Sequence, residues 1–338
     1  MKFDDLWYDN HPLSLALIPF SWLFCAIVKI RQKAYQYNLL TSHRVSVPVI
    51  IVGNLSVGGT GKTPLVIWLA KFLKQQGFKP GIISRGYGGH AKKWPQPVYP
   101  ESDPNLVGDE PILLARHSDC PVVVAPQRIL AAQNLLKNHP CDVIISDDGL
   151  QHYALHREIE IVVVDENRRY GNQHCLPAGP LREPMNRLLN IDFLVIKKNP
   201  KLKLWTPVRG LESKALALGF SMHYTAQSLK RVDNNTISQP LSKLAGKTVH
   251  AIAGIGYPEK FFNQLRENDL TLHCHTFPDH YYYKNSDIQF NDDLPVIMTE
   301  KDAVKCQSIA SPKHWYLPIE AHLIDSFDIE LLKKLKEI

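Results

Sequence analysis

A glycine-rich segment followed by a lysine and a threonine begins shortly after an apolar run. Residues 58–63 read Gly-Gly-Thr-Gly-Lys-Thr, and the apolar run Val47–Val52 precedes them. Glycines allow successive backbone N–H groups to point into one concavity, to which a following helix adds its positive N-terminal end. Lys62 can then reach the outer phosphates of a nucleotide, and the Thr63 hydroxyl can ligate Mg²⁺. The order of strand, glycine turn, lysine and hydroxyl therefore predicts a phosphate-binding loop.

This loop departs at one position from the general pattern. A glycine is expected at position 56, where the chain has Ser56, but Gly58 and Gly59 supply flexibility close by. We interpret the segment as a variant loop that holds a nucleoside triphosphate. The predicted nucleotide-binding residues are Ser56, Val57, Gly58, Gly59, Thr60, Gly61, Lys62, Thr63 and Pro64.

Two adjacent aspartates follow a second apolar run. Asp147 and Asp148 come just after Val143–Ile145, at the predicted end of a strand. An aspartate in this position commonly holds Mg²⁺ beside a phosphate-binding loop, directly or through water. Two neighbouring carboxylates repel each other, and a divalent cation would offset both charges. We therefore predict a magnesium site that includes Thr63, Asp147 and Asp148, with a solvated polar turn as the alternative.

The composition is that of a globular protein. The chain has 338 residues, which is long enough for two domains of ordinary size. Of these residues 44% are hydrophobic and 21% are charged, which is a globular balance. Its six cysteines include no C-x-x-C pair, which disfavours a disulfide scaffold or a zinc site and favours a reducing compartment. The net charge of +6 suits anionic partners, but no basic motif interleaved with aromatic residues predicts nucleic-acid binding. We expect no nucleic-acid partner, and the oligomeric state stays open.

The amino-terminal region contains an apolar segment, Leu13–Val28, followed at once by basic residues. At about 1.5 Å per residue, a helix of this length is shorter than a hydrocarbon core of about 30 Å, so it is more apt to lie on a bilayer than to cross it. If Pro19 occupies the first helical turn, one apolar stripe forms, and the basic residues beyond would meet anionic head groups. A helix packed on the protein's own core is the alternative. The stripe comprises Phe20, Leu23, Phe24, Ile27 and Ile30, and the basic residues are Lys29, Arg31, Lys33 and Arg44.

Short β-rich runs alternate with helical stretches from Val47 onward. This rhythm is typical of a mostly parallel sheet with helices on both faces, which binds ligands where its strands end. We predict an α/β fold with a doubly wound, P-loop NTPase-like sheet, a second, smaller α/β lobe and an N-terminal hydrophobic helix. The runs in the first part are Val47–Val52, Pro64–Gln76, Gly81–Ser84, Glu110–Arg116, Val122–Ala125, Gln127–Lys137, Val143–Ser146 and Ile159–Val164.

Polar, proline-containing sequence around residues 200–247 is interpreted as the link between the two lobes. The predicted domains are a membrane-associating helical segment over residues 1–40, a P-loop domain over 41–205 and the smaller lobe over 206–338. In this lobe Gly254-Ile255-Gly256 resembles the start of a dinucleotide fingerprint, but Glu259 replaces the third glycine, so we predict a tight turn. The other predicted elements of this lobe are the strands Val249–Ala253, Thr271–Thr276 and Val296–Thr299, a helix near Pro258–Arg266 and a final amphipathic helix that ends at Leu335.

Seven motifs follow one another along the chain: Gly53–Pro64, Ser84–Gly88, Val107–Pro111, Asp147–His152, Pro177–Pro184, Phe277–His280 and Thr299–Lys305. Together they resemble the tetraacyldisaccharide 4′-kinase family, the lipid A 4′-kinases. The resemblance extends from Gly53 to Lys305, and the hydrophobic amino terminus also matches.

The resemblance implies an enzyme that transfers the γ-phosphate of ATP, with Mg²⁺, to the 4′-hydroxyl of a tetraacyl glucosamine disaccharide 1-phosphate. The product would be lipid IVA, made at the cytoplasmic face of the bacterial inner membrane by a peripheral or monotopic protein in lipid A biosynthesis. Lys62 would neutralise charge, and Asp109 would act as base, paired with His280 of the other lobe. Because 171 positions separate this pair, we expect the lobes to close over the substrate.

Further residues of these motifs are assigned to the site. Glu110 is expected near Mg²⁺, and a second group is expected around the phosphates or the acceptor. The long segment Gly86–Gly108 is expected to cover the acceptor. The second group comprises Arg85, Tyr87, Gln151, His152 and Arg182.

Two other functions remain compatible with the phosphate-binding loop. A membrane-docking ATPase switch would explain the loop and the apolar amino terminus, but it needs no Asp109–His280 pair. A soluble sugar or nucleoside kinase would leave Leu13–Val28 without a role.

Overall fold

Fifteen strands form two sheets in the part of the chain described by the computed structural model, residues 3–8, 11–198 and 219–338. The strands are β1 (Val49–Gly53), β2 (Pro80–Ser84), β3 (Gln96–Val98), β4 (Val122–Val124), β5 (Val143–Asp147), β6 (Ile159–Asp165), β7 (Phe193–Lys197), β8 (Phe220–Ala226), β9 (Leu229–Arg231), β10 (Ser238–Gln239), β11 (Thr248–Ala253), β12 (Thr271–Thr276), β13 (Val296–Thr299), β14 (His314–Leu317) and β15 (Ile319–Leu323).

Eleven α-helices accompany these strands in the same described residues. They are α1 (Phe3–Tyr8), α2 (Leu13–Ala16), α3 (Ile18–Gln36), α4 (Lys62–Gln75), α5 (Pro104–Val107), α6 (Asp109–Ser118), α7 (Arg128–Asn138), α8 (Pro258–Arg266), α9 (Asn285–Ile288), α10 (Glu300–Cys306) and α11 (Phe327–Lys336). Short 3₁₀ helices cover Met185–Asn190 and Leu241–Leu244.

The larger sheet has nine strands in the order β15-β8-β7-β6-β1-β5-β2-β4-β3. Its central pairs are parallel, and an antiparallel strand closes each edge. Strand β1 is apolar along its whole length because helices cover both of its faces: Ile50 packs in the cluster that contains α4, and Ile51 packs in the one that contains α7. The predicted mostly parallel sheet is confirmed.

The smaller sheet has the order β10-β9-β14-β13-β11-β12, with parallel pairs from β14 to β12. The predicted helix over 258–266 and the predicted strands over 271–276 and 296–299 are all present. The sequence pattern did not indicate β3, β7, β8, β9, β10, β14 or β15.

The chain returns to the larger sheet after completing the smaller one. Strands β8 and β15, which pair with each other, lie in the larger sheet, and α11 packs against it through Phe327 and Leu331. Both strands belong to the range 206–338 that the sequence assigned to the smaller lobe. The smaller sheet, as described, consists of strands between residues 229 and 317. The predicted limits of the domains stay a prediction. The predicted link begins at Asn199-Pro200 and Thr206-Pro207, which lie outside the described residues.

The amino-terminal helix α3 begins at Ile18 with Pro19 in its first turn, as predicted. One of its faces packs on the larger lobe, where the Ser21 hydroxyl donates to the Cys175 carbonyl at 2.6 Å and Phe24 touches the core. The other face leaves large apolar side chains exposed, so packing on the protein's own core accounts for one face only, and membrane association of the other face stays a prediction. These side chains are Phe20, Trp22, Leu23, Ile27 and Ile30, each at least 57% exposed. In the described residues no helix has the length and apolar character needed to cross a membrane.

Candidate active site

The predicted phosphate-binding loop connects β1 to α4, which begins at Lys62. Gly58 and Gly61 adopt positive φ angles of 105° and 97°, which residues other than glycine rarely adopt. No side chain caps the first turn of α4, so its backbone N–H groups are available to an anion, and the helix dipole adds positive potential there. Thr63 and Pro64 lie in this first turn, as a nucleotide site requires.

Neighbouring segments fix the shape of the loop. The Val57 N–H donates to the Pro180 carbonyl at 2.8 Å, and Tyr224 of β8 donates its hydroxyl to the Gly61 carbonyl at 2.9 Å. A Cβ atom on Gly61 would lie 1.8 Å from that hydroxyl oxygen. From the smaller lobe, the predicted turn at Gly254-Ile255-Gly256 approaches the loop: a Cβ on Gly256 would lie 3.9 Å from the Gly59 nitrogen.

Lys62 lies in a polar network at the mouth of this loop. Its Nζ is 3.1 Å from Asn54 Oδ1 and 3.3 Å from Asp148 Oδ1. Arg182 donates to both oxygens of Asp148 at 3.1 and 3.2 Å. Gln151 donates to the Asn54 carbonyl at 3.1 Å and accepts from Arg182 at 3.4 Å. Lys62, Asp148, Gln151 and Arg182, four of the predicted site residues, are thus brought together here.

The two aspartates of the predicted magnesium site have different environments. Burial alone would raise the pKa of Asp148, but Lys62 and Arg182 hold it well below its usual range, so this carboxylate already has cationic partners. Asp147 is 1% exposed, and its Oδ1 atom has no hydrogen-bond partner. Burial and the nearby charge of Glu110 raise the pKa of Asp147 to about 7. A buried carboxylate oxygen without a partner is costly, and a cation would relieve that cost.

These residues fit a magnesium ion held partly by the nucleotide. Asp147 and the Thr63 hydroxyl would be its protein ligands, and Glu110 would lie close by. Among residues 3–8, 11–198 and 219–338 no three His, Cys, Asp or Glu side chains converge as a closed metal site. An ion here would therefore take its remaining ligands from phosphate oxygens and water, as Mg²⁺ usually does.

Asp109 and His280 are in contact across the two lobes. His280 Nδ1 lies 3.1 Å from Asp109 Oδ2, and Asp109 Oδ1 accepts the Glu110 N–H at 2.8 Å. Asp109 is 3% exposed; burial alone would raise its pKa, but the hydrogen bond with His280 and the charges of Lys301 and Lys305 lower it overall. The carboxylate is therefore ionised and able to accept a proton. This contact is present in the described conformation, so the pairing itself requires no further closure of the lobes.

The segment Gly86–Gly108 packs against His280. The Tyr87 ring meets the imidazole edge-on at 4.8 Å between centroids, and Tyr282 donates its hydroxyl to the Gly88 carbonyl at 2.8 Å. His280 itself has φ of +59°, a left-handed conformation that costs a non-glycine residue of the order of 1 kcal/mol or more. A small cavity lies at this junction, lined by Gly88, Pro104, Asp109, His280, Tyr282 and Lys305.

Two further predicted residues are less constrained. Arg85 is exposed and Tyr87 is 60% exposed, so either can reach a ligand. His152 lies near Arg128 and Arg157; burial and these positive charges lower its pKa to about 4, and its Nε2 atom has no hydrogen-bond partner. His152 is therefore neutral at physiological pH.

Several residues of the site were not predicted from the sequence. Asn54 joins Lys62 to Gln151, Arg128 donates to the backbone carbonyls of Asp147 and Asp148, and Lys301 and Lys305 face the Asp109–His280 pair. The spacing of Lys301 and Lys305, four residues apart in a helix, could have placed both on one face.

This arrangement can be compared with known proteins. The sequence model of the family described as Tetraacyldisaccharide-1-P 4'-kinase matches residues 13–336. The chain belongs to this family. The tetraacyldisaccharide 4'-kinase of Nitrosococcus oceani is 51% identical over 331 residues, which are 98% of this chain and 93% of that protein. The enzyme of the same name from Methylobacillus flagellatus is 45% identical over 98% of this chain and 95% of its own length.

A solved structure has the same fold as this chain. The LpxK protein of Aquifex aeolicus, crystallised in complex with ATP, superposes with a TM-score of 0.78 and is 29% identical. The match covers 96% of this chain and 99% of that one. The predicted family, kinase class and P-loop kinase fold are therefore confirmed.

The geometry of Gly61 gives a testable expectation. Gly61→Ala should weaken ATP binding by about 10- to 100-fold, because the clash with Tyr224 moves loop amides whose hydrogen bonds to a charged phosphate are worth about 1.5–3 kcal/mol each. Gly77→Ala is the matched control at the other end of α4: Gly77 also has a positive φ, but a Cβ there meets nothing within 4 Å. Calorimetric titration with ATP measures both. Equal affinities in the two variants would contradict the assigned role of the loop.

Proposed function

We propose that this chain transfers the γ-phosphate of ATP to the 4′-hydroxyl of a tetraacyl glucosamine disaccharide 1-phosphate and yields lipid IVA. The observation that supports this most strongly is the 3.1 Å contact between His280 and the buried Asp109. The adjacent Glu110 lies close enough to Asp147 for its charge, in addition to burial, to raise the pKa of that carboxyl, on which Lys62 also acts. A nucleotide-driven switch would have no use for an ionised base held by the other lobe. The family membership of the chain points to the same acceptor.

Each group has one task in this reaction. The first-turn amides of α4 and Lys62 bind the β- and γ-phosphates, and Arg182, paired with Asp148, offers further positive charge to an outer phosphate. Asp109 accepts the proton of the acceptor hydroxyl as that oxygen attacks the γ-phosphorus, while His280 holds the carboxylate in place. Mg²⁺, when bound beside Asp147 and Thr63, supplies neutralisation of the phosphate charge.

The preference for an acylated acceptor can be tested directly. With labelled ATP and Mg²⁺, we expect the label to be transferred to the tetraacyl disaccharide 1-phosphate and far more slowly to the same sugar without acyl chains. If labelled phosphate were released to water without an acceptor as fast as it is transferred to the acylated sugar, the protein would be a nucleotide-driven switch instead. Equal labelling of both sugars would indicate a soluble sugar kinase.

The role of Asp109 can be tested by an isosteric change. Asp109→Asn should lower kcat by about 10²- to 10⁴-fold and leave ATP affinity nearly unchanged, because a general base acts on the transition state. Asp119→Asn, at the C-terminal end of the same helix α6, is the control, since the Asp119 side chain is 86% exposed. An unaltered kcat in Asp109→Asn would remove this residue from the mechanism.

We further propose that the exposed face of α3 holds the enzyme on the cytoplasmic face of the bacterial inner membrane as a peripheral or monotopic protein. This face carries large apolar side chains, and Lys29, Arg31 and Lys33 are exposed on the same helix. Such a helix lies at the head-group level with its apolar side towards the acyl chains. An acceptor with acyl tails would then reach the catalytic cleft without leaving the bilayer.

Substitutions on this face test the membrane proposal. The triple change Phe20→Ser, Leu23→Ser and Ile27→Ser should lower partition onto anionic vesicles by at least about tenfold, because each large apolar side chain contributes about 1.5–3 kcal/mol when buried. Ile329→Ser is the control, since Ile329 is 61% exposed on the distant helix α11. Equal sedimentation of both variants with vesicles would contradict the proposal.

A further inference from the structure

Lys301 reaches from α10 to three groups around the catalytic pair. Its Nζ lies 3.0 Å from Glu110 Oε1, 3.0 Å from Asp279 Oδ1 and 3.4 Å from His280 Nε2. The side chain is only 15% exposed. Burial lowers the pKa of Lys301, but Glu110, Asp109 and Asp279 outweigh it and raise the pKa overall. The group beside His280 is therefore a permanently charged ammonium.

The ammonium group of Lys301 restricts which nitrogen of the His280 ring can carry a proton. A lysine ammonium has three donors and no acceptor, so a nitrogen in contact with it must present a lone pair. With Nε2 as acceptor, a neutral His280 carries its single proton on Nδ1, and this N–H points at Asp109 Oδ2, 3.1 Å away. A proton on Nε2 would instead face the positive charge of Lys301.

From this geometry we propose that Lys301 is a positioning residue that fixes His280 as the neutral tautomer protonated at Nδ1. His280 then donates to Asp109 and cannot take the proton of the acceptor at Nε2. The proton-accepting role consequently belongs to Asp109 alone. The importance of this arrangement for turnover rests on the proposed kinase reaction, whereas the tautomer is a property of the free protein.

Asp279 is the competing partner in this arrangement. Its Oδ1 lies 3.8 Å from His280 Nε2, beyond hydrogen-bonding distance, because it is engaged by Lys301 and by the backbone N–H of His280 at 3.1 Å. Without Lys301, the Asp279 carboxylate would be the nearest charged group to Nε2 and would favour a proton there. The Tyr87 ring also contacts the imidazole, in a T-shaped arrangement with 4.8 Å between the ring centroids.

Nitrogen NMR of the full chain reads the tautomer without any turnover. In protein labelled with ¹⁵N-histidine, two-bond proton–nitrogen correlations distinguish Nδ1–H from Nε2–H, and His280→Gln identifies the signal of His280. We expect the Nδ1–H pattern in the wild type, a proton on Nε2 in Lys301→Met, and the wild-type pattern in Lys301→Arg, because a guanidinium also only donates.

Matched variants keep this test decisive. Glu300→Gln, at the adjacent residue of α10, removes the negative charge that faces His117 at 2.7 Å across the same helix pair and should keep the wild-type pattern. If Lys301→Met does not fold, Lys301→Gln replaces it, since its amide oxygen can accept from Nε2 and should allow a proton there. An Nε2–H wild type, or an unchanged pattern in the folded Lys301→Met or Lys301→Gln variant, would overturn the proposal.

Kinetics then connect the tautomer to turnover. Lys301→Met should lower kcat by about 10- to 100-fold, the usual effect of losing a group that orients a functional side chain, with KM for ATP nearly unchanged and partial rescue in Lys301→Arg. An unchanged kcat together with a changed tautomer would overturn the positioning role in the reaction. If the wild type transferred no phosphate to the acylated disaccharide, the proposed function would fail while the NMR result would still decide the tautomer.

Discussion

The site depends on keeping one carboxylate both buried and ionised. Removing Asp109 from water disfavours its charge, so it needs donors and positive charges aimed at it from several directions. Among the described residues that contact Asp109 or act on its charge, Glu110 of the larger lobe contributes its backbone N–H, whereas His280, Lys301 and Lys305 come from the smaller lobe. The second lobe is therefore required for the electrostatics of the base as well as for enclosing the substrate.

The contact between α6 and α10 gives this arrangement its precision. Asp109 and Glu110 begin α6, and Lys301 and Lys305 lie one turn apart on α10. Farther along the same pair, His117 meets Glu300 at 2.7 Å and Arg116 donates to Gln307 at 2.7 Å. Because these contacts fix how the two helices lie against each other, the charged groups at the start of α6 are held in register with Lys301 and Lys305. Precision at the base thus derives from regular secondary structure more than from loops.

The parts that could be predicted from sequence are those with a local physical signal. Apolar runs that end in glycine or aspartate gave β1, β5 and the loop between β1 and α4, because buried parallel strands and phosphate loops have their own patterns. Strands β8 and β15 carry polar residues such as His223 and His322 and lie near or at the edge of the sheet, so neither shows a continuous apolar run.

Long-range contacts between charged residues had no such signal. The pairing of Asp109 with His280 came only from the family resemblance, because 171 positions separate them and no local pattern joins them. Lys301 belongs to the Thr299–Lys305 motif, but its contacts with Glu110 and Asp279 can be identified only from the three-dimensional arrangement of the two lobes. The exposed apolar surface of α3 also differs from the predicted stripe. Trp22, which the stripe does not include, is 69% exposed.

The route of the chain between the sheets affects the order in which the protein is completed on the ribosome. The smaller sheet is inserted between β8 and β15, and its two connections meet where the Gln227 N–H donates to the Pro318 carbonyl at 2.9 Å. The strand that covers β8, and the helix that buries Phe327 on the larger sheet, are synthesised only after the whole insertion has emerged. During translation, β8 therefore remains an unprotected edge until the strand Ile319–Leu323 has been synthesised.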